Sequence, residues 1–133
     1  MHWFDLTVPL ALPRAEWVLS VEVGEHIPSK FEGTYLRNLH AHNCAGVILS
    51  WAALGQNGAN HINNHKATVI RARMASLGYF VNETLTHALR YGAGMPRTVR
   101  IANIAAFERY KRVSPCTAHP PCAKTHNTMG PVG

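Results

Sequence analysis

The sequence predicts an α/β fold, and three observations predict it. Two nearly continuous apolar runs, Glu16 to Val23 and Ala45 to Trp51, have the length and β-branched content of strands buried on both faces. Each run is followed by a stretch with a helical apolar repeat. Strand and helix signals therefore alternate, the pattern of right-handed crossovers on a mostly parallel sheet.

In chain order, the first strand is Glu16–Val23. Gly24, Glu25, His26, Ile27 and Pro28 leave it, and Ser29 with Glu32 three residues on reads as a capping box that opens a helix over 29–43. Phe31, Tyr35 and Leu39 recur every four residues and give this helix its buried stripe. The second strand, Ala45–Trp51, runs into a loop rich in Gly and Asn from Leu54 to Asn63. A second helix over 64–77 aligns Ala67, Ile70, Met74 and Leu77, with Asn63 and Asn64 at its cap and Gly78 as its stop. Tyr79–Val81 begins a third strand, Asn82 caps a short helix carrying Leu85, Ala88 and Leu89, and Gly92 and Gly94 end it. Within Ile101–Tyr110 the apolar residues fit a helix or a short buried strand, of which the strand is preferred. The expected organisation is one domain over 1–113 and a disordered Pro-, His- and Cys-containing tail over 114–133.

Composition narrows the function classes. A chain with 47% hydrophobic and 15% charged residues can fill a core. The longest nearly apolar stretch, Ala45–Leu54, is far short of a membrane span, and Pro9 interrupts the only apolar run near the N-terminus, so neither a span nor a signal peptide is read. Cys44, Cys116 and Cys122 leave one cysteine over in any disulfide scheme, which favours a reducing compartment and a cytoplasmic location. Residues 1–62 hold three basic and five acidic residues, a net −2, whereas residues 63–133 hold ten basic and two acidic, a net +8. A solvated basic face accounts for that half without invoking nucleic acid.

Chemistry concentrates in the loops after the two long runs, because ligands of open α/β sheets bind beyond the carboxyl ends of the strands. Glu22, Glu25 and His26 place two carboxylates and an imidazole within five residues, able to accept from hydroxyls or move protons or, more blandly, to line a helix start. The loop Gly55–Asn63 has two glycines but lacks the Gly-Lys-Ser/Thr ending of a P-loop. His61 and His65 are four apart without the glutamate that a metalloprotease helix carries, and Cys116, His119, Cys122 and His126 match no common zinc spacing. No metal site is expected.

Read together, Glu16-Trp17-Val18-Leu19-Ser20-Val21-Glu22-Val23-Gly24-Glu25-His26-Ile27-Pro28 and Leu49-Ser50-Trp51-Ala52 through Gly55-Gln56, Gly58 and His61 to Asn63 resemble the second half of a class I S-adenosylmethionine-dependent methyltransferase. The resemblance runs from about Asp5 to Arg109. It implies a partial Rossmann-like sheet in which the first motif is the fourth strand with its exit loop and the second is the fifth strand with its substrate-side loop. It implies S-adenosylmethionine as cofactor, met by Asp5 and Leu6 at the end of the third strand and by Glu22, Val23 and His26. Trp51, Gln56, His61 and Asn63 would face an unidentified methyl acceptor, and His26 or His61 would serve as base. Glu16 stands where the family usually carries Asp. The family's glycine-rich loop and its ribose-binding acid have no counterpart, so a truncated domain with about four of seven strands and an unpaired sheet edge is expected. Such an edge invites self-association or a strand partner. The alternative function is a noncatalytic remnant that acts as a protein- or nucleic-acid-interaction module.

Overall fold

The computed structural model describes residues 3–92 and 103–117. Its described residues form a four-stranded mixed sheet with helices packed on it. Strand β1 is Ala15–Ser20, helix α1 Glu32–Ala41, strand β2 Asn43–Leu49, helix α2 Ala67–Ser76, strand β3 Tyr79–Val81, helix α3 Glu83–Tyr91 and strand β4 Ala105–Arg109. The spatial order is β1-β2-β4-β3. β1 and β2 are parallel, while β4 runs antiparallel to both β2 and β3. The expectation of a mostly parallel sheet holds for β1, β2 and β3, which run in one direction; β4 lies between β2 and β3 and runs against them, so the sheet is mixed. The apolar alternation that marks a strand reads the same in either direction, so it carries no information on strand sense.

Each element forms for a local reason. β2 is buried along nearly its whole length, as a central strand must be. β1 is not: its outward Leu19 is 69% exposed, because β1 lies at the sheet edge and pairs only with β2 among the described residues. The strand expected over 16–23 also ends early, at Ser20, since Glu22 adopts a left-handed φ of 56° that turns the chain out of the sheet. Ser29–Phe31 is a 3-10 turn, and α1 follows it with no side-chain cap. The capping box thus does not form; the Glu32 carboxylate turns into the interior instead. The α2 cap expected at Asn63 and Asn64 is likewise absent, because Asn64 Nδ2 donates to the carbonyls of Ala53 and Gln56. Asn82 does cap α3, accepting from Leu85 N at 2.9 Å.

The core lies between the sheet and its helices, built from Tyr35, Leu39, Val47, Leu49, Trp51, Ile70, Met74, Tyr79 and Phe107. At roughly 25 cal/mol per Å² of apolar area removed from water, these side chains supply the main folding force. The Tyr35 hydroxyl shares a 2.6 Å hydrogen bond with Ser20 Oγ, and burial pushes its pKa up to about 12. Gly46 lets β2 pass beneath Trp17: a Cβ there would come within 2.3 Å of the Trp17 ring.

Two further expectations change. Cys44 and Cys116 form a disulfide that ties the start of β2 to the segment after β4, with Val113 N donating to Cys44 O alongside. Residues 114–117 are accordingly held to the sheet and are not part of a free tail. His119, Cys122, His126 and the rest of the expected tail from 118 onward lie outside the described residues, as does Gly94. At the other end, Phe4-Asp5-Leu6 is not a strand; residues 6–8 form a turn, and the Asp5 carboxylate accepts from Thr7 N and Thr7 Oγ1. These bonds hold the Asp5 carboxyl below its usual range.

Candidate functional site

The two loops singled out from sequence leave the carboxyl ends of adjacent parallel strands and fold onto one another. Ser50, at the end of β2, joins them first: its Oγ accepts from Glu22 N at 2.7 Å and donates to Glu22 Oε1 at 2.9 Å. The Gly24–His26 segment then makes a 3-10 turn. Its glycine is required, since a Cβ on Gly24 would lie 2.4 Å from the Trp51 ring. The Glu25 carbonyl accepts from both Ile62 N and Asn63 N, which clamps the second loop over this turn.

This clamp brings Glu25, His26 and His61 together, with one ligand-type atom from each within 4.8 Å of the others. His26 is exposed, His61 half-buried and Glu25 fully buried. The His26 and His61 rings meet edge to face with centroids 5.0 Å apart. His26 Nδ1 donates to Asn60 O at 2.9 Å and His61 Nδ1 donates to Gln56 O at 3.3 Å. A carbonyl can only accept, so each ring carries its proton on Nδ1 when neutral and leaves a lone pair on Nε2. Gly58 lies against His61, where a Cβ would come within 2.2 Å of Nε2. Neither carboxylate oxygen of Glu25 has a hydrogen-bond partner. Burial pushes this carboxyl above its usual range, and the Glu22 carboxylate adds to the push.

A second cluster lies on the far side of the loop. Glu32, almost fully buried, pairs with Arg73, accepts from Asn63 Nδ2 at 2.8 Å and meets His65 Nε2 at 2.7 Å. His65 is thus committed to Glu32 rather than coupled to His61. Asn63 and Trp51, expected on the substrate side, are also built into the scaffold: both are buried, and Trp51 Nε1 donates to Asn63 O at 2.6 Å. Gln56 is exposed, with its side-chain oxygen accepting from Ala53 N and Asn103 Nδ2.

Of the residues expected near a cofactor, Leu6 and Val23 line a groove of about 330 Å³ along the open side of β1, together with Val18, Leu19 and Leu39. Asp5 is exposed and tied to Thr7. Glu22 and His26 stand at the exit of β1, bonded to Ser50 and to Asn60 respectively. Sequence reasoning overlooked the Glu32 cluster and the role of Gly58. The Asn63-x-His65 pair and a glycine two residues before Asn60 carry no periodic signal that would have marked them. Comparison with known proteins finds no matching family model, no matching curated protein and no matching solved structure.

Proposed function

We propose that this chain supplies the acceptor side of a class I S-adenosylmethionine-dependent methyltransferase domain. What carries the reading is the meeting of the two motif-bearing loops at the carboxyl ends of the parallel strands β1 and β2, where open α/β sheets place their ligands. The edge of β1, unpaired among the described residues, and its apolar groove agree with a sheet that continues beyond β1.

In this reading the cofactor supplies an electrophilic methyl group, and the protein aligns it with the acceptor. The β1 exit loop contributes Glu22 and Val23 to the cofactor side. The free Nε2 of His26 or of His61 can take a proton from the acceptor, and His26 is the more open of the two. Trp51 and Asn63 position the second loop instead of touching the acceptor. A cytoplasmic location fits this reading less well than the odd cysteine count suggested, because the Cys44–Cys116 bond belongs to an oxidising setting. No described helix is long and apolar enough to cross a membrane.

Two anchors usual in the family, the glycine-rich loop and the ribose-binding acid, are absent from the sequence. With each such anchor worth about 1–3 kcal/mol, the chain alone should hold the cofactor roughly a hundredfold or more weaker than an intact site would. Amide chemical shifts recorded during titration with S-adenosylhomocysteine test this. Shifts gathered at residues 22–27 and along the β1 groove are expected. Unchanged spectra at high ligand concentration, or shifts confined to α3, would contradict the reading.

The groove also favours a second reading, an interaction module that pairs a partner strand along β1. Leu19, with 69% of its surface exposed, would then be covered in the complex.

A further inference from the structure

We infer that Glu25, His26 and His61 form a binding site for a divalent transition-metal cation of the zinc class. This goes beyond methyl transfer and does not depend on it; a cation would take the Nε2 lone pairs named above as bases, so cation binding and imidazole base catalysis exclude each other. Sequence spacing gave no hint of it, since two ligands lie on the 3-10 turn after β1 and the third lies 35 residues on, in the loop after β2.

Three observations converge. The three ligand-type atoms lie within 4.8 Å of one another, a separation that small side-chain adjustments close around a single ion. Both imidazoles have Nδ1–H held by a backbone carbonyl, the outer hydrogen bond that orients a metal-binding histidine and leaves Nε2 as the ligand. Glu25 is completely buried, and both its oxygens lack a hydrogen-bond partner, an arrangement a cation would satisfy.

Charge points the same way. The Glu22 carboxylate is a second negative group acting on Glu25, and no Lys or Arg pairs with either among the described residues. Two nitrogens and one carboxylate are the donor set of three-ligand zinc sites, which leave a coordination position for water or for a substrate oxygen. The exposed face of His26 gives the ion a route in from solvent.

The test is titration of the full chain with Co²⁺, followed by visible absorption, and with Zn²⁺ by calorimetry. Both use the Cys122→Ser form, so that the remaining thiol cannot bind metal. The expected result is one cation per chain, with a spectrum of nitrogen and oxygen ligands. His61→Ala, in an exposed loop, should keep the far-UV circular dichroism of the parent and weaken binding by more than the about ten- to hundredfold that loss of an outer hydrogen bond costs. His26→Ala should do the same, and His87→Ala, on the exposed side of α3, should leave affinity unchanged. Absence of stoichiometric binding would overturn the proposal. So would binding that survives both His26→Ala and His61→Ala, or binding lost equally in His87→Ala.

Discussion

Glu25 and Glu32 are seven residues apart in sequence and nearly equal in burial, at 0% and 3% exposed, yet their surroundings are opposite. Glu32 has a cation, an amide and an imidazole around it, each from the loop or helix it holds in place. Glu25 has no hydrogen-bond partner for its carboxylate, another carboxylate nearby and two imidazoles poised to share a ligand. A buried charge is costly unless it is paired, so the first carboxylate belongs to the fold and the second is left for something that binds. The comparison separates scaffold from site within one pair of loops.

Removing the partnered carboxylate should give the largest effect. Glu32→Ala leaves the buried Asn63 amide without its acceptor and removes the partner of the partly exposed Arg73, and should cost about 2–3 kcal/mol in urea unfolding. A loss below ~1 kcal/mol would remove Glu32 from the scaffold and break the contrast.

Gly24→Ala comes next. Its Cβ would collide with the Trp51 ring, and the loop clamp must shift to admit it, at about 1–3 kcal/mol in thermal or urea unfolding. The shift should also move Glu25 and His26 relative to His61, so the variant should lose cation affinity as well as stability.

A smaller effect is expected at the unpartnered carboxylate. Without a cation, Glu25→Gln should change stability by no more than ~1 kcal/mol, because no hydrogen bond or ion pair to the carboxylate is lost. Matched urea curves for Glu25→Gln and Glu32→Gln sharpen the comparison directly.

The smallest effect concerns pH and lies at the other end of α1. His40 is held below its ordinary pKa of 6.5 first by burial and then by Arg109 and Arg14. Its Nδ1 accepts from the Tyr79 hydroxyl at 3.0 Å, and that hydroxyl in turn accepts from Asn43 Nδ2. As pH falls below 6.5 the unfolded chain takes up this proton before the folded one, so this contribution to stability is present above 6.5 and is lost as pH drops through the lowered folded value. Urea midpoints from about pH 7.5 to about pH 5 should fall less steeply for His40→Gln than for the parent. Parallel slopes would show that His40 does not contribute.

How much of this was legible in the sequence depends on the kind of signal. β2, α1, α2 and the cap of α3 were legible because burial imposes a period on apolar residues and Asn82 stands where a cap belongs. The sense of β4 was not, since a strand's pattern has no direction. The capping box at Ser29 failed because a buried partner set outcompeted a local bond for Glu32. The Cys44–Cys116 bond spans 72 residues, and three cysteines give no basis for choosing the pair. In the site, His26 and His61 were legible as chemistry-bearing loop residues. Their pairing with Glu25 arises only when the Glu25 carbonyl captures the amides of Ile62 and Asn63, a contact no spacing rule encodes.

Whether Glu32 holds the fold while Glu25 awaits a ligand is decided by thermal unfolding of the Cys122→Ser parent, Glu25→Gln and Glu32→Gln, each with and without saturating Zn²⁺. Zn²⁺ should raise the melting temperature of the parent and leave that of Glu25→Gln nearly unmoved, while Glu32→Gln melts well below both when no cation is present. Equal destabilisation by the two substitutions without cation, together with the same Zn²⁺ response in all three proteins, would contradict it.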